Sequence, residues 1–199
     1  MSIQPRQERA VRTRDQILSG AVEVLVEFGY AGMTMQRVQT AAGVSRGALT
    51  HHFGSMTEIA VAAIDFIAEN QGEEIRGAVG PNTSAEQAVD IVHEITRRPT
   101  FVAGLQLWMA ARTEPALREA LQPGAHRLFR DLHDSLAPFV DRLSVDGDID
   151  GEHYLIFLDG LLSLLRGLAI GAVLRDRPDR EKQVLATWLA AFSSGQQSS

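Results

Sequence analysis

The stretch Met35-Gln36-Arg37-Val38-Gln39-Thr40-Ala41-Ala42-Gly43-Val44-Ser45-Arg46-Gly47-Ala48-Leu49-Thr50-His51-His52-Phe53 decides the fold. It reads as two short helices meeting at Gly43, the residue type that a tight turn between helices needs. Thr34 is placed to cap the first helix and Ser45 the second. Val38, Ala42, Val44 and Leu49 are spaced to pack the two together. That packing leaves the start of the second helix open to a DNA major groove, where the first residues of such a helix meet base edges.

Helix signals continue outward on both sides, and strand signals do not. On the N-terminal side, Thr13-Arg14-Asp15-Gln16 has the pattern of a capping box opening an amphipathic helix, with Ile17, Leu18, Ala21, Val22, Leu25 and Phe28 on one face. Gly29 stops it in a left-handed conformation. On the C-terminal side, Ser55-Met56-Thr57-Glu58 and Ser84-Ala85-Glu86-Gln87 open two further helices. Helices follow from Phe101 to Arg112 and from Thr113-Glu114-Pro115 to a break at Pro123-Gly124. Ala125 to Leu143 resumes with a kink at Pro138, Asp150 caps a helix over Tyr154–Leu174, and Pro178-Asp179 precedes a last helix through Phe192. The expected architecture is all-α. An N-terminal three-helix domain carrying the helix-turn-helix occupies residues 1–54, and a C-terminal helical domain occupies 55–199, joined by a long fourth helix.

Composition bounds the function. With 45% hydrophobic and 22% charged residues, the chain of 199 residues is an ordinary globular one. It has no cysteine, which excludes thiolate chemistry, disulfides and cysteine-based zinc sites and suits the cytoplasm. The net charge of −6 is unevenly spread: residues 1–60 hold six basic against five acidic side chains, so any nucleic-acid surface is N-terminal and local. Tyr154–Leu174 is apolar enough to raise a membrane span, but Asp159 and Arg166 within it argue against one.

Over residues 10–60 the sequence resembles the TetR family of regulators. The likeness rests on Phe28-Gly29-Tyr30, Met33-Thr34, Ala42 through Leu49, His51-His52-Phe53 and Ser55-x-x-Glu58-Ile59, all at fixed spacing. Leu107 through Pro115 looks like a stretch found in some members. The resemblance implies a homodimer, a ligand-binding C-terminal domain, and repression of an operator relieved by ligand. Three positions depart from the family pattern: Thr50 stands where tyrosine is frequent, Met56 where lysine is, and Gln39 where alanine is.

Residue chemistry assigns the DNA-binding candidates. Arg46 can fork onto a guanine or bind phosphate; Gly47 and Ala48 permit close approach, and the Ala48 methyl can meet a thymine methyl. Thr34, Ser45 and His52 suit phosphate, with Gln36, Arg37, Thr50 and His51 as further contacts. Arg6, Arg9, Arg12 and Arg14 read as an arm against phosphate or minor groove, with a solvated tail as the alternative for the first two. For the effector, expected to be largely apolar, the stripe Phe101, Leu105, Trp108, Met109 and Arg112 with Phe66, Phe129 and His133 is the candidate pocket wall, alongside the plainer reading as core. For the homodimer, the candidates are Gly160, Leu164, Gly167 and Gly171 of the long apolar helix and Leu185, Trp188 and Leu189 of the last one.

Other patterns carry less. Asp146-Gly147-Asp148-Ile149-Asp150-Gly151 imitates a calcium loop, but Phe157 occupies the position of the required bidentate glutamate. His126, Arg130 and His133 share a helix face without metal spacing. No metal and no cofactor is expected. A helical enzyme has no catalytic constellation to support it; a DNA-binding adaptor whose C-terminal domain makes only protein contacts is the closer rival.

Overall fold

A computed structural model describes residues 4–80, 82–127, 130 and 151–195. Among these the chain is helical throughout: α1 (Gln4–Phe28), a 3-10 turn (Tyr30–Gly32), α2 (Met35–Ala42), α3 (Arg46–His52), α4 (Met56–Ala78), α5 (Ala85–Thr96), α6 (Pro99–Ala111), α7 (115–127), α8 (Gly151–Ala172) and α9 (Pro178–Gly195). The kink at Pro138, the Asp150 cap and the calcium-like loop lie outside the described residues.

Two compact units result. The first takes residues 1–70 and 99–127, the second 71–98 and 128–199. In the first, α1 supplies Ile17, Leu18, Ala21 and Leu25 to a core completed by Val38, Leu49, Ile59 and Ala63. Beside Ile59 and Ala63 of α4, two further helices from beyond residue 54 join this core, through Ala103, Leu107 and Ala111 of α6 and Leu117 and Leu121 of α7. The compact unit that carries the helix-turn-helix is thus larger than its three helices. In the second unit, Val89, Val92 and Ile95 of α5 pack with Phe157, Leu158, Leu161 and Leu165 of α8 and Leu185 and Leu189 of α9.

Three local expectations are corrected. α1 begins at Gln4, so Thr13 is interior and caps nothing. Pro5 falls in the first turn, where its missing N–H is no loss, and the following residues are good helix formers supported by the Glu8–Arg12 pair at 3.7 Å. Pro123-Gly124 does not break α7, which runs on to residue 127. Leu117 and Leu121 anchor it from one side, and beyond the proline Arg127 donates to Asp65 of α4 at 2.8 Å. Gly124 lets the Asp65 carboxylate sit close to the helix, since a Cβ would come within 2.5 Å of it and the side chain would have to shift. Finally, Gly29 has φ 64 and ψ 178, a positive-φ conformation outside the left-handed helical basin and open essentially to glycine alone.

The second unit buries a polar group to which no sequence pattern points. His93 of α5 is fully buried, with Nε2 2.9 Å from Oε2 of Glu181 on α9. Arg97 reaches the same carboxylate and also Asp176, while the His93 Nδ1 has no hydrogen-bond partner among the described residues.

In the first unit α1 and α2 come close together at Gly20. A Cβ placed there meets the Ala42 backbone, 2.5 Å from N and 2.8 Å from Cα. Helix propensity alone favours alanine over glycine by about 1 kcal/mol, but forcing two packed backbones apart costs about 1–3 kcal/mol. Gly20→Ala is therefore expected to destabilise the protein. Urea unfolding checks the sign; a gain in stability shows that separating α1 and α2 costs less than the roughly 1 kcal/mol gained in helix propensity.

Candidate nucleic-acid interface

The helix-turn-helix is built by local hydrogen bonds that the side chains dictate. Thr34 Oγ1 accepts from the Arg37 N–H at 3.2 Å, starting α2. Gly43 adopts φ 64, ψ 27, and the N–H of Val44 turns back to the Gln39 carbonyl at 3.3 Å. Ser45 Oγ then accepts from the Ala48 N–H at 3.2 Å and starts α3. Val38 and Leu49 are fully buried, with Ala42 and Val44 packed beside them, as their spacing implies.

Burying Leu49 turns the opposite side of α3 to solvent. Arg46, Gly47, Thr50 and His51 are exposed, Ala48 and His52 half-buried, and a Cβ on Gly47 would meet nothing within 4 Å. Thr34, Gln36 and Ser45 are exposed beside them. Two of the candidates have other engagements. Thr50 turns its hydroxyl onto its own helix, donating to the Arg46 carbonyl at 3.0 Å. Arg37 donates to the Gly32 carbonyl at 2.6 Å and lies 4.3 Å over the Phe28 ring. Its guanidinium thus ties α2 to the end of α1, and this also explains why Phe28 is not in the core.

The corner between α3 and α4 adjoins this face. A cleft of about 390 Å³ there is bordered by Arg14, His52, Phe53, Ser55, Thr57 and Glu58, among others. The Arg14 guanidinium lies 5.5 Å from the Phe53 ring centroid, and the His51 and His52 rings meet edge to face at 5.6 Å. Ser55 caps α4 as its sequence pattern implies, accepting from the Glu58 N–H at 3.1 Å. The Glu58 carboxylate reaches past Ser55 to the Gly54 N–H at 2.7 Å. Met56, at the position where the family pattern has lysine, is half-buried against the core. On the far side, Tyr30 donates to Glu114 at 3.0 Å, which joins the 3-10 turn to the start of α7. Burial and the neighbouring carboxylate together raise the phenol above its ordinary value.

The remaining candidates do not form one surface. On α6 the inward stripe is Ala103, Leu107 and Ala111, so Phe101 and Trp108 are only half-buried, Leu105 is buried outside that stripe, and Met109 and Arg112 are exposed. The small alanines, not the aromatics, occupy the closest packing, a choice that apolar periodicity alone does not make. Phe66 is half-buried against the same core; Phe129 and His133 lie outside the described residues. His126 is exposed, and no group of three or more metal-ligating side chains occurs among the described residues.

Of the dimer candidates, Leu185 and Leu189 point inward and are buried in their own unit. Trp188 packs on Phe157, with ring centroids 4.8 Å apart, and its Cζ2 would lie 3.0 Å from a Cβ on Gly160. These four residues close the second unit on itself, because α9 lays its apolar face on α8. Leu164 is half-buried against the same core. Gly167 and Gly171 remain open: a Cβ on either would meet nothing within 4 Å.

The comparisons with known proteins agree with this geometry. Residues 17–63 match the family model described as bacterial regulatory proteins, tetR family. The chain is 32% identical over 182 residues to the HTH-type transcriptional regulator CymR of Pseudomonas putida, covering 89% of this chain and 87% of that one. A TetR-family transcriptional regulator from Mesorhizobium loti superposes with a TM-score of 0.73 at 16% identity, covering 94% of this chain and 97% of the other. A transcriptional regulator from Saccharomonospora viridis in complex with choline superposes at 0.69 with 17% identity, covering 90% and 96%.

Arg46→Ala is expected to leave the fold intact, since the side chain is exposed, and to weaken specific DNA binding. If Arg46 reads a guanine, the loss is about 1–3 kcal/mol and discrimination relaxes at one base pair per half-site. Equal loss on every duplex assigns it to phosphate, and unchanged binding removes it from the interface.

Proposed function

Because this chain belongs to the TetR family of bacterial transcriptional regulators, we propose that it is a homodimeric repressor that holds a palindromic operator and releases it on binding a largely apolar small molecule. Its relatives are transcription regulators, and the chain is accordingly a DNA-binding regulator and not an enzyme. The observation that supports the DNA-reading role best is the pairing of two side-chain caps around Gly43 with an exposed α3 face. Thr34, Gln36, Ser45, Arg46, Gly47, Ala48, His51 and His52 are the residues assigned to it, and Thr50 and Arg37 contribute less because their polar groups are already engaged. In this reading residues 1–54 are the DNA-binding domain and the remainder serves effector binding and dimerisation, in the cytoplasm.

The effector is assigned to the apolar side chains of α4 and α6 that are not spent on the closest packing: Phe66, Phe101, Leu105 and Trp108. The partner is a second copy, through the outward side of α8. There Leu155, Ile156 and Ile170 are exposed, as are Val173 and Leu174 in the turn that follows, the last at 89%. The segment Leu155–Ala172 has the length and apolarity of a membrane span, yet carries Asp159 and Arg166 on the same outward side as the exposed apolar residues. A protein surface accommodates that mixture better than lipid does. Open Gly167 allows a partner helix to come close.

Selection from random duplex DNA by the full-length protein tests the reading, with and without metabolite extracts. The expected product is an inverted repeat with half-sites about 34 Å apart, or a multiple of that spacing, released by some extract fraction. No enrichment overturns operator binding; enrichment that no extract shifts favours an adaptor. Two variants separate the remaining parts. Trp108→Ala is expected to change the ligand response more than ligand-free DNA binding, and equal loss of both with a lower melting temperature makes it core. Gly167→Leu is expected to give a helical monomer that no longer holds the operator. Sedimentation checks it, and a wild-type protein that is monomeric at micromolar concentration defeats the dimer.

A further inference from the structure

The start of α1 is longer than the fold requires. Its first buried residue is Ile17, yet the helix begins at Gln4, and residues 7–12 are all exposed. Two turns of helix with every side facing solvent are marginal alone, but here they only prolong a helix that the core has already nucleated, and each further residue adds one hydrogen bond. Glu8 and Arg12 add an i,i+4 pair in the favourable order. Among the described residues, the exposed side chains of residues 7–12 are not part of the core that α1 builds.

Charge and position supply a reason. Between residues 6 and 14 stand Arg6, Arg9, Arg12 and Arg14 against the single acid Glu8. The cationic end emerges at the DNA-facing corner, because Arg14 lies over Phe53 and borders the same cleft as His52 and Ser55, beside the candidate phosphate contacts. From Arg14 back to Gln4 the helix extends about 15 Å past that corner. An exposed ion pair such as Glu8–Arg12 is weak enough for a phosphate to take over its arginine.

We propose that this segment is a basic helical spur that lies along the DNA sugar–phosphate backbone beyond the bases contacted by α3. It rests on the reading of α3 as the DNA-reading helix, and it extends the footprint without reading sequence. Because the spur is helical, Arg9 and Arg12 stand three residues apart on neighbouring positions of one side, and both reach the backbone together. A flexible arm would present its charges in no fixed arrangement.

The test uses the full-length protein and a mixed-sequence duplex, with affinity followed from about 50 to 200 mM salt. Neutralising both arginines in Arg9→Gln/Arg12→Gln is expected to flatten the slope of log K against log salt by about 1.8 per protomer, about 3.6 for the homodimer, two phosphate contacts' worth from each copy. Thr13→Pro keeps every charge, and proline is tolerated where it becomes the first residue of the shortened helix. It is expected to lose affinity also, with circular dichroism showing loss of the spur's turns and a retained core. An unchanged slope in the double variant overturns the contact with DNA. A flattened slope there with wild-type binding by Thr13→Pro overturns the helical spur in favour of a charged tail. Reduced affinity at an unchanged slope, with a monomer in sedimentation, reassigns the segment to a second copy of the chain. Failure of the wild-type protein to bind any duplex would sink the DNA-binding reading itself, a result distinct from all of these.

Discussion

The reading head depends on how closely α1 and α2 approach each other. At Gly20 the α1 backbone comes near enough to the start of the turn, at Ala42, that no side chain fits between them. This contact fixes where α2 ends, so that Gly43 makes its left-handed turn at the right place and Ser45 begins α3 with a free outer face. The caps and the turn are local devices worth about 1 kcal/mol each. Packing against α1 determines the orientation in which they are presented.

The helix-turn-helix is the most legible part of the sequence because its determinants are local. Thr34, Gly43, Ser45 and the Ser84–Gln87 box each act within four residues, and each does what its chemistry implies. Legibility falls where the outcome depends on tertiary competition. Pro123-Gly124 looks like a break, but Leu121 before it and the Arg127–Asp65 pair after it hold the helix through. Thr13 has the pattern of a cap, yet nothing upstream stops the helix from extending to Gln4.

Apolar stripes are the other weak point, since periodicity finds a face without naming the neighbour it meets. On α6 the aromatic stripe is the conspicuous one, whereas Ala103, Leu107 and Ala111 are the side chains buried in the core. On α9 the apolar face is spent on α8 of the same chain, with Trp188 lying over Gly160. The outer side of α8 is then the apolar surface left over. Gly160 and Gly167 look alike in sequence, and only the position of Trp188 separates a glycine that serves the fold from one that is free to serve a partner.

The buried contact between α5 and α9 has a consequence for how this protein can diverge. His93 and Glu181 satisfy one another in a place that water does not reach, and Arg97 completes the group. Removing the imidazole leaves a carboxylate with less compensation, and removing the carboxylate strands a buried ring nitrogen and leaves Arg97 only Asp176 as a partner. An apolar replacement of the whole group is physically acceptable, but each single step toward it is costly. Among descendants of this sequence, positions 93, 97 and 181 should therefore change together or not at all, while their exposed neighbours drift independently. The pairing of α5 with α9 becomes a trait inherited as a block.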